Sequence, residues 1–151
     1  CERNGKIKVG IAMGITRGQQ QKIDEIAEKH DVQMMVIFGS QIKGKTHAGS
    51  DLDIGILLKQ DPKSYHTLLD VQSELKEIFT EYKLDVSYLN KATPYFLFEA
   101  IYKGKLLYGS NYDYTKLCAK AFKQYIDTKP LRDLRDEMIE NRQKELLTYA
   151  R

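Results

Sequence analysis

Apolar and polar positions along the 151-residue chain change period several times, and each change marks an element. The opening GKIKVGI alternates at Ile7, Val9 and Ile11, which predicts a short strand. Between Gly18 and His30, Ile23, Ile26 and Ala27 recur on one helical face, with Thr16 placed to cap the helix. Val32 to Phe38 is a near-continuous apolar run closed by Gly39, the pattern of a strand buried on both faces. A second strand follows at Leu52 to Leu58, with Leu52, Ile54, Ile56 and Leu58 in one phase. Asp61-Pro62 predicts a helix start, Asp as cap and Pro at the first helical position, with Tyr65, Leu68, Leu69, Leu75, Ile78 and Phe79 as its apolar side.

The segment YKLDVSYL (82–89) reads as a third strand, Leu84, Val86 and Tyr88 on one face and Asp85 and Ser87 on the other. Thr93-Pro94 opens a helix through Phe96, Leu97, Ala100 and Ile101, which Gly104 stops. Past Gly109 the chain reads as helical, with Tyr114, Leu117, Cys118, Ala121 and Tyr125 on one face. Lys129-Pro130 interrupts it, and a highly charged helix resumes to Tyr149 with a thin apolar stripe at Leu131, Leu134 and Met138. The expected fold class is α/β of the α+β kind: a small mixed β-sheet core flanked by helices, followed by a C-terminal helical extension. The expected organisation is an N-terminal segment over 1–15, a core over 16–111 and the extension over 112–151.

One feature breaks the hydrophobic pattern. Asp51 and Asp53 stand in an otherwise Leu/Ile strand, two residues apart, so both leave one face with Cα atoms about 6.5–7 Å apart. A buried carboxylate is costly unless paired or bound to metal. Because the aliphatic phase must face the core, the aspartates point the other way. Gly55, next on their face, would leave room for a ligand. Asp85 has the same character on the third strand, and if the two strands are neighbours, three carboxylates converge.

Composition narrows the setting. Lys and Arg number 24 against 21 Asp and Glu, a net charge of +3 without any block of like charge. Neither a nucleic-acid arm nor a membrane patch is expected from that distribution. The only cysteines are Cys1 and Cys118, so no disulfide framework is expected and the usage fits a reducing cytoplasm. No run is apolar and long enough for a membrane span or secretory signal. His30, His47 and His66 lack metal-ligand spacing, and Cys118 on an apolar helical face reads as core.

Three hard oxygen ligands with open positions suit Mg²⁺, which typically takes one or two carboxylates plus substrate phosphates. Gly39-Ser40, where a strand turns, can offer backbone N–H groups and a hydroxyl to a phosphate. The Gly-Lys-Ser/Thr ending of a Walker A loop is missing, which argues against a P-loop NTPase. Asp51 alone is equally well explained as a turn residue. In phase with Asp53, Asp85 and Gly39-Ser40, it points to chemistry.

Gly39-Ser40, ten residues, Asp51-Leu52-Asp53 and a later strand Asp85 together resemble the polymerase-β-type nucleotidyltransferase superfamily. Length and the segment FEAIYKGKLLYGSN resemble, within it, the minimal nucleotidyltransferases that act as antitoxins to HEPN-domain ribonucleases. The resemblance covers roughly residues 18 to 112. It implies two Mg²⁺ ions held by Asp51 and Asp53, with Asp85 joining the metal nearer the nucleophile. It also implies Gly39 and Ser40 on the nucleotide phosphates, with Lys43 and Lys45 as the nearby basic candidates. Lysine there supplies charge without the bidentate fork of arginine.

The implied activity is transfer of AMP from ATP to a hydroxyl, the implied acceptor a tyrosine of a cognate HEPN toxin, and the implied setting a complex with that toxin. Two alternatives stand beside it: an antitoxin that masks the toxin by binding alone, and transfer to a small molecule of the aminoglycoside type. The latter class usually carries a larger second domain or a dimeric cleft to hold the acceptor.

Overall fold

A computed structural model describes residues 14–39, 51–62 and 64–149. The strand predicted over Ile7–Ile11 and the candidate residues Ser40, Lys43 and Lys45 lie outside the described residues. The described elements are α1 (Arg17–Lys29), β1 (Val32–Phe38), β2 (Asp51–Leu58), α2 (His66–Lys76), β3 (Lys83–Tyr88), α3 (Pro94–Tyr102), β4 (Lys105–Tyr108), α4 (Asn111–Asp127) and α5 (Lys129–Tyr149). The four strands form one mixed sheet in the order β3-β2-β1-β4. β1 runs antiparallel to both β2 and β4, whereas β2 and β3 are parallel. This is the expected α+β architecture.

Two apolar layers sandwich the sheet. On one face α1 and α2 bring Ile23, Ile26, Val71 and Leu75 against Met35, Ile37, Leu52, Ile54, Ile56, Leu84 and Val86. On the other, α3 and α4 bring Leu97, Ala100, Ile101 and Ala121 against Met34, Val36 and Leu106. A near-continuous apolar run in β1 is what a strand covered on both sides requires. The aliphatic phase of β2 faces the first layer, so Asp51, Asp53, Gly55 and Leu57 take the other phase.

Local chemistry explains the helix starts. The Thr16 hydroxyl accepts from the Gln19 backbone N–H while the Gln19 side chain accepts from the Thr16 N–H, a reciprocal capping box. Thr93 accepts from the Phe96 N–H with Pro94 in the first turn, and Ser110 accepts from the Asp113 N–H at the start of α4.

α2 departs from the expected start at Asp61-Pro62. Its first helical residue is His66, and Tyr65 precedes it without a side-chain cap. The stretch after β2 is held elsewhere: Asn90 receives the Leu58 N–H and donates to the Leu58 carbonyl, and the Lys59 N–H bonds the Asp31 carbonyl. These bonds fix the chain at Leu58 and Lys59, just before Asp61, and the helix itself begins five residues after Asp61 at His66. With α2 starting at His66, Tyr65 and Leu69 are exposed, Val71 is buried, and Phe79 packs into the core beyond the end of the helix.

β4, only four residues long, has too little pattern of its own to predict and exists by pairing with β1. α5 has the expected exposed, charged character: none of its residues is buried. Among the described residues no helix is long and apolar enough to cross a membrane.

Candidate active site

The carboxylates gather where β1 ends and β2 and β3 begin. Because β2 and β3 run parallel with Asp51 opposite Lys83 and Asp53 opposite Asp85, the two-residue period places all four side chains on one face. The antiparallel partner of Asp53 is Phe38, the last residue of β1, so Gly39 follows beside it. Asp53 lies between its neighbours and is partly buried, while Asp51 and Asp85 are exposed. The convergence that the sequence left conditional on strand order is thereby met for Asp53 and Asp85.

Electrostatics single out Asp53. Burial pushes its carboxyl above the usual carboxylate range, and the neighbouring charges of Asp85 and Asp51 push it further the same way. Asp51 instead meets a cation, the Lys83 ammonium, at 3.4 Å. The inner pair of carboxylates therefore has no positive partner among the described residues.

Gly39 adopts φ +89°, a left-handed conformation that favours glycine. A Cβ there would run into the Asp53 carboxylate, so the turn can close over that side chain only without one. Phe96, from the first turn of α3, packs edge-on against Phe38 with ring centroids 5.6 Å apart and backs this end of the strand.

Gly55 does not have the expected role. Its missing side chain makes room for Leu89, whose methyl carbons lie 2.9 Å and 3.0 Å from where a Cβ would stand. The space is filled by core packing, and no ligand fits there. Lys83, for its part, was not singled out by sequence. As one of many lysines it carries no local signal, and it stands out only once β2 and β3 are aligned as Asp51-x-Asp53 beside Lys83-x-Asp85.

The donor set fits a divalent cation of the Mg²⁺ kind. Two hard carboxylates sit side by side in register, the more buried one raised in pKa by its burial and by its acidic neighbours, a repulsion that a cation would relieve. Among the described residues no three carboxylate or imidazole groups form an assembled ligand set. An open set of this kind suits a metal that keeps waters and takes further oxygens from a phosphate.

Residues 21–113 match the model of the "Polymerase beta, Nucleotidyltransferase" family, well over half the chain. The chain belongs to this nucleotidyltransferase family. A search of curated proteins gives no significant match.

Among solved structures, a toxin–antitoxin with AMP-PNP is similar at TM-score 0.69 and 21% identity, over 80% of this chain and 98% of the other. A structure from Shewanella oneidensis, a tri-AMPylated HEPN toxin in complex with an MNT antitoxin, is similar at 0.65 and 18%, over 82% and 98%. A toxin–antitoxin MntA–HepT structure gives 0.65 and 18%, over 83% and 99%. At these identities the similarity establishes a shared fold.

Proposed function

We propose that this nucleotidyltransferase transfers AMP from ATP to a tyrosine hydroxyl of a cognate HEPN ribonuclease toxin and so acts as its antitoxin. The observation that carries the reading is Asp53 beside Asp85 in register, uncompensated, with Gly39 closing over the Asp53 carboxylate. An AMP-PNP complex and an AMPylated HEPN toxin among proteins of the same fold support the choice of donor and acceptor.

In this reading Asp51, Asp53 and Asp85 would hold Mg²⁺. A metal held there would supply Lewis-acid chemistry, charge neutralisation on the reacting oxygens. The chain's own groups position and deprotonate. Gly39 and Ser40 receive the terminal phosphates, Lys43 and Lys45 supply positive charge to them, and Asp85, exposed on β3, meets the acceptor hydroxyl and takes its proton. The acceptor oxygen bonds to the α-phosphorus as the bond to the bridging oxygen breaks, so AMP is transferred and pyrophosphate departs. Most of the rate comes from positioning and charge stabilisation.

A second reading, masking of the toxin by binding alone, is favoured by α5, where Leu131, Leu134, Met138, Ile139 and Leu146 stay exposed along a helix that buries nothing. One experiment separates the two: intact mass of the toxin co-expressed with the wild type or with a double variant carrying Asp51→Asn and Asp53→Asn. Gain of AMP units with the wild type alone supports transfer. An unmodified toxin that co-purifies equally with both refutes transfer in favour of masking.

A further inference from the structure

The acidic face carries one cation among its described residues, and its placement is not neutral with respect to what the site must bind. Lys83 enters β3 directly opposite Asp51 and two residues before Asp85, so its side chain leaves the sheet on the carboxylate face. Its ammonium lies 3.4 Å from Asp51 Oδ1, with 80% of the Lys83 side chain and 60% of the Asp51 side chain exposed. It therefore offsets part of the charge of the outermost carboxylate and leaves the inner pair, Asp53 and Asp85, to repel each other. An exposed pair of this sort adds little to stability. What it does is occupy one of the two aspartates that the nucleotidyltransferase reading gives to a divalent ion.

An ammonium at that distance and a divalent cation on the same carboxylate repel each other, so the lysine must move when metal arrives. Nothing buries its stem, and a four-carbon chain with three rotatable donors can swing through several ångströms at small cost. A bare metal ion gives the displaced ammonium no new partner. A metal that arrives with a nucleotide does, because it brings several phosphate charges to the same face.

Resting on that reading, we propose that Lys83 is a movable counter-ion, seated on Asp51 in the metal-free protein and passing to the phosphates of a bound nucleoside triphosphate. Metal and nucleotide then bind as a pair, and metal alone binds poorly. Lys83 is a positioning residue in this scheme, and it exchanges one anion for another without entering the chemistry.

The scheme predicts two effects of opposite sign, which a merely structural lysine would not give. Lys83→Met is expected to tighten binding of Mn²⁺ alone about threefold to tenfold, the weight of one partly screened charge near a divalent ion. The same variant is expected to weaken binding of AMP-PNP in the presence of Mg²⁺ by a similar factor. Lys83→Arg keeps the charge and is expected to stay near the wild type in both. The measurements are Mn²⁺ titration followed by electron paramagnetic resonance and calorimetric titration of AMP-PNP, on the full chain, with folding checked by circular dichroism and Asp53→Asn as reference.

Shifts of the same sign in Lys83→Met, or none while Asp53→Asn abolishes Mn²⁺ binding, would overturn the role of Lys83 alone. Equal Mn²⁺ binding by the wild type and Asp53→Asn would overturn the metal site, and this inference with it.

Discussion

Asp53→Asn separates what the acidic cluster does for function from what it costs the fold. Asp53 and Asp85 stand in register on neighbouring parallel strands, roughly 4.8 Å apart at the backbone. Two like charges about 5 Å apart in a water-like dielectric repel by about 1 kcal/mol, less whatever salt screens. Burial of Asp53 adds to the cost in the same direction. Asparagine keeps the shape and removes the charge.

With metal chelated at pH 7, the variant is therefore expected to be about 1 kcal/mol more stable, a rise in Tm of about 2–4 °C for a chain of this size. The folded-state pKa of Asp53 lies above its usual value of 3.8, so the native state holds the proton more tightly than the unfolded chain. The penalty is absent below that value, grows as pH rises through the folded-state pKa, and is complete at neutral pH. The gap between variant and wild type must accordingly close in acid.

Mg²⁺ or Mn²⁺ should invert the order, because a ligand of the native state stabilises the wild type by mass action and has lost its site in the variant. Urea and thermal unfolding with chelator and with metal, across pH, measure all three effects. An Asn variant clearly less stable than the wild type in chelator would refute the repulsion. An equal response of both proteins to metal would remove Asp53 from the metal site.

Gly39→Ala forces a side chain into a left-handed position against the Asp53 carboxylate. We expect a loss of about 1–2 kcal/mol in chemical denaturation, together with weaker Mn²⁺ binding, and a variant with native metal affinity would show that the turn does not shape the site. Gly55→Ala meets Leu89 and should cost about 1–3 kcal/mol through overpacking while leaving Mn²⁺ affinity near that of the wild type. Strongly altered affinity there would contradict the assignment of that space to the core. Ending the chain after Thr128 removes α5, which buries no residue, though the contacts of Arg132 with Tyr125 and Thr128 go with it. Stability should change by no more than about 1 kcal/mol, and a larger loss in calorimetry would show that α5 supports the core.

The sequence by itself determined what depends on neighbours along the chain. The two-residue phase of Leu52, Ile54, Ile56 and Leu58 set which way Asp51 and Asp53 point, and Thr16 and Thr93 marked helix starts because their hydroxyls reach N–H groups three residues on. The apolar face Tyr114, Leu117, Cys118 and Ala121 was legible for the same reason, and it packs against the second core layer.

Tertiary structure decided whatever depends on partners distant in sequence. Strand order and register are non-local, so the sequence could name Asp85 without placing it, and could not distinguish Lys83 from any other lysine. β4 exists only through β1. Asn90 and Asp31 anchor Leu58 and Lys59 from distant parts of the chain, and α2 begins at His66 rather than at the local Asp61-Pro62 signal. Gly55 read alone looked like space for a ligand, and only folding brought Leu89 to fill it, because an absent side chain says nothing about which distant group will take its place.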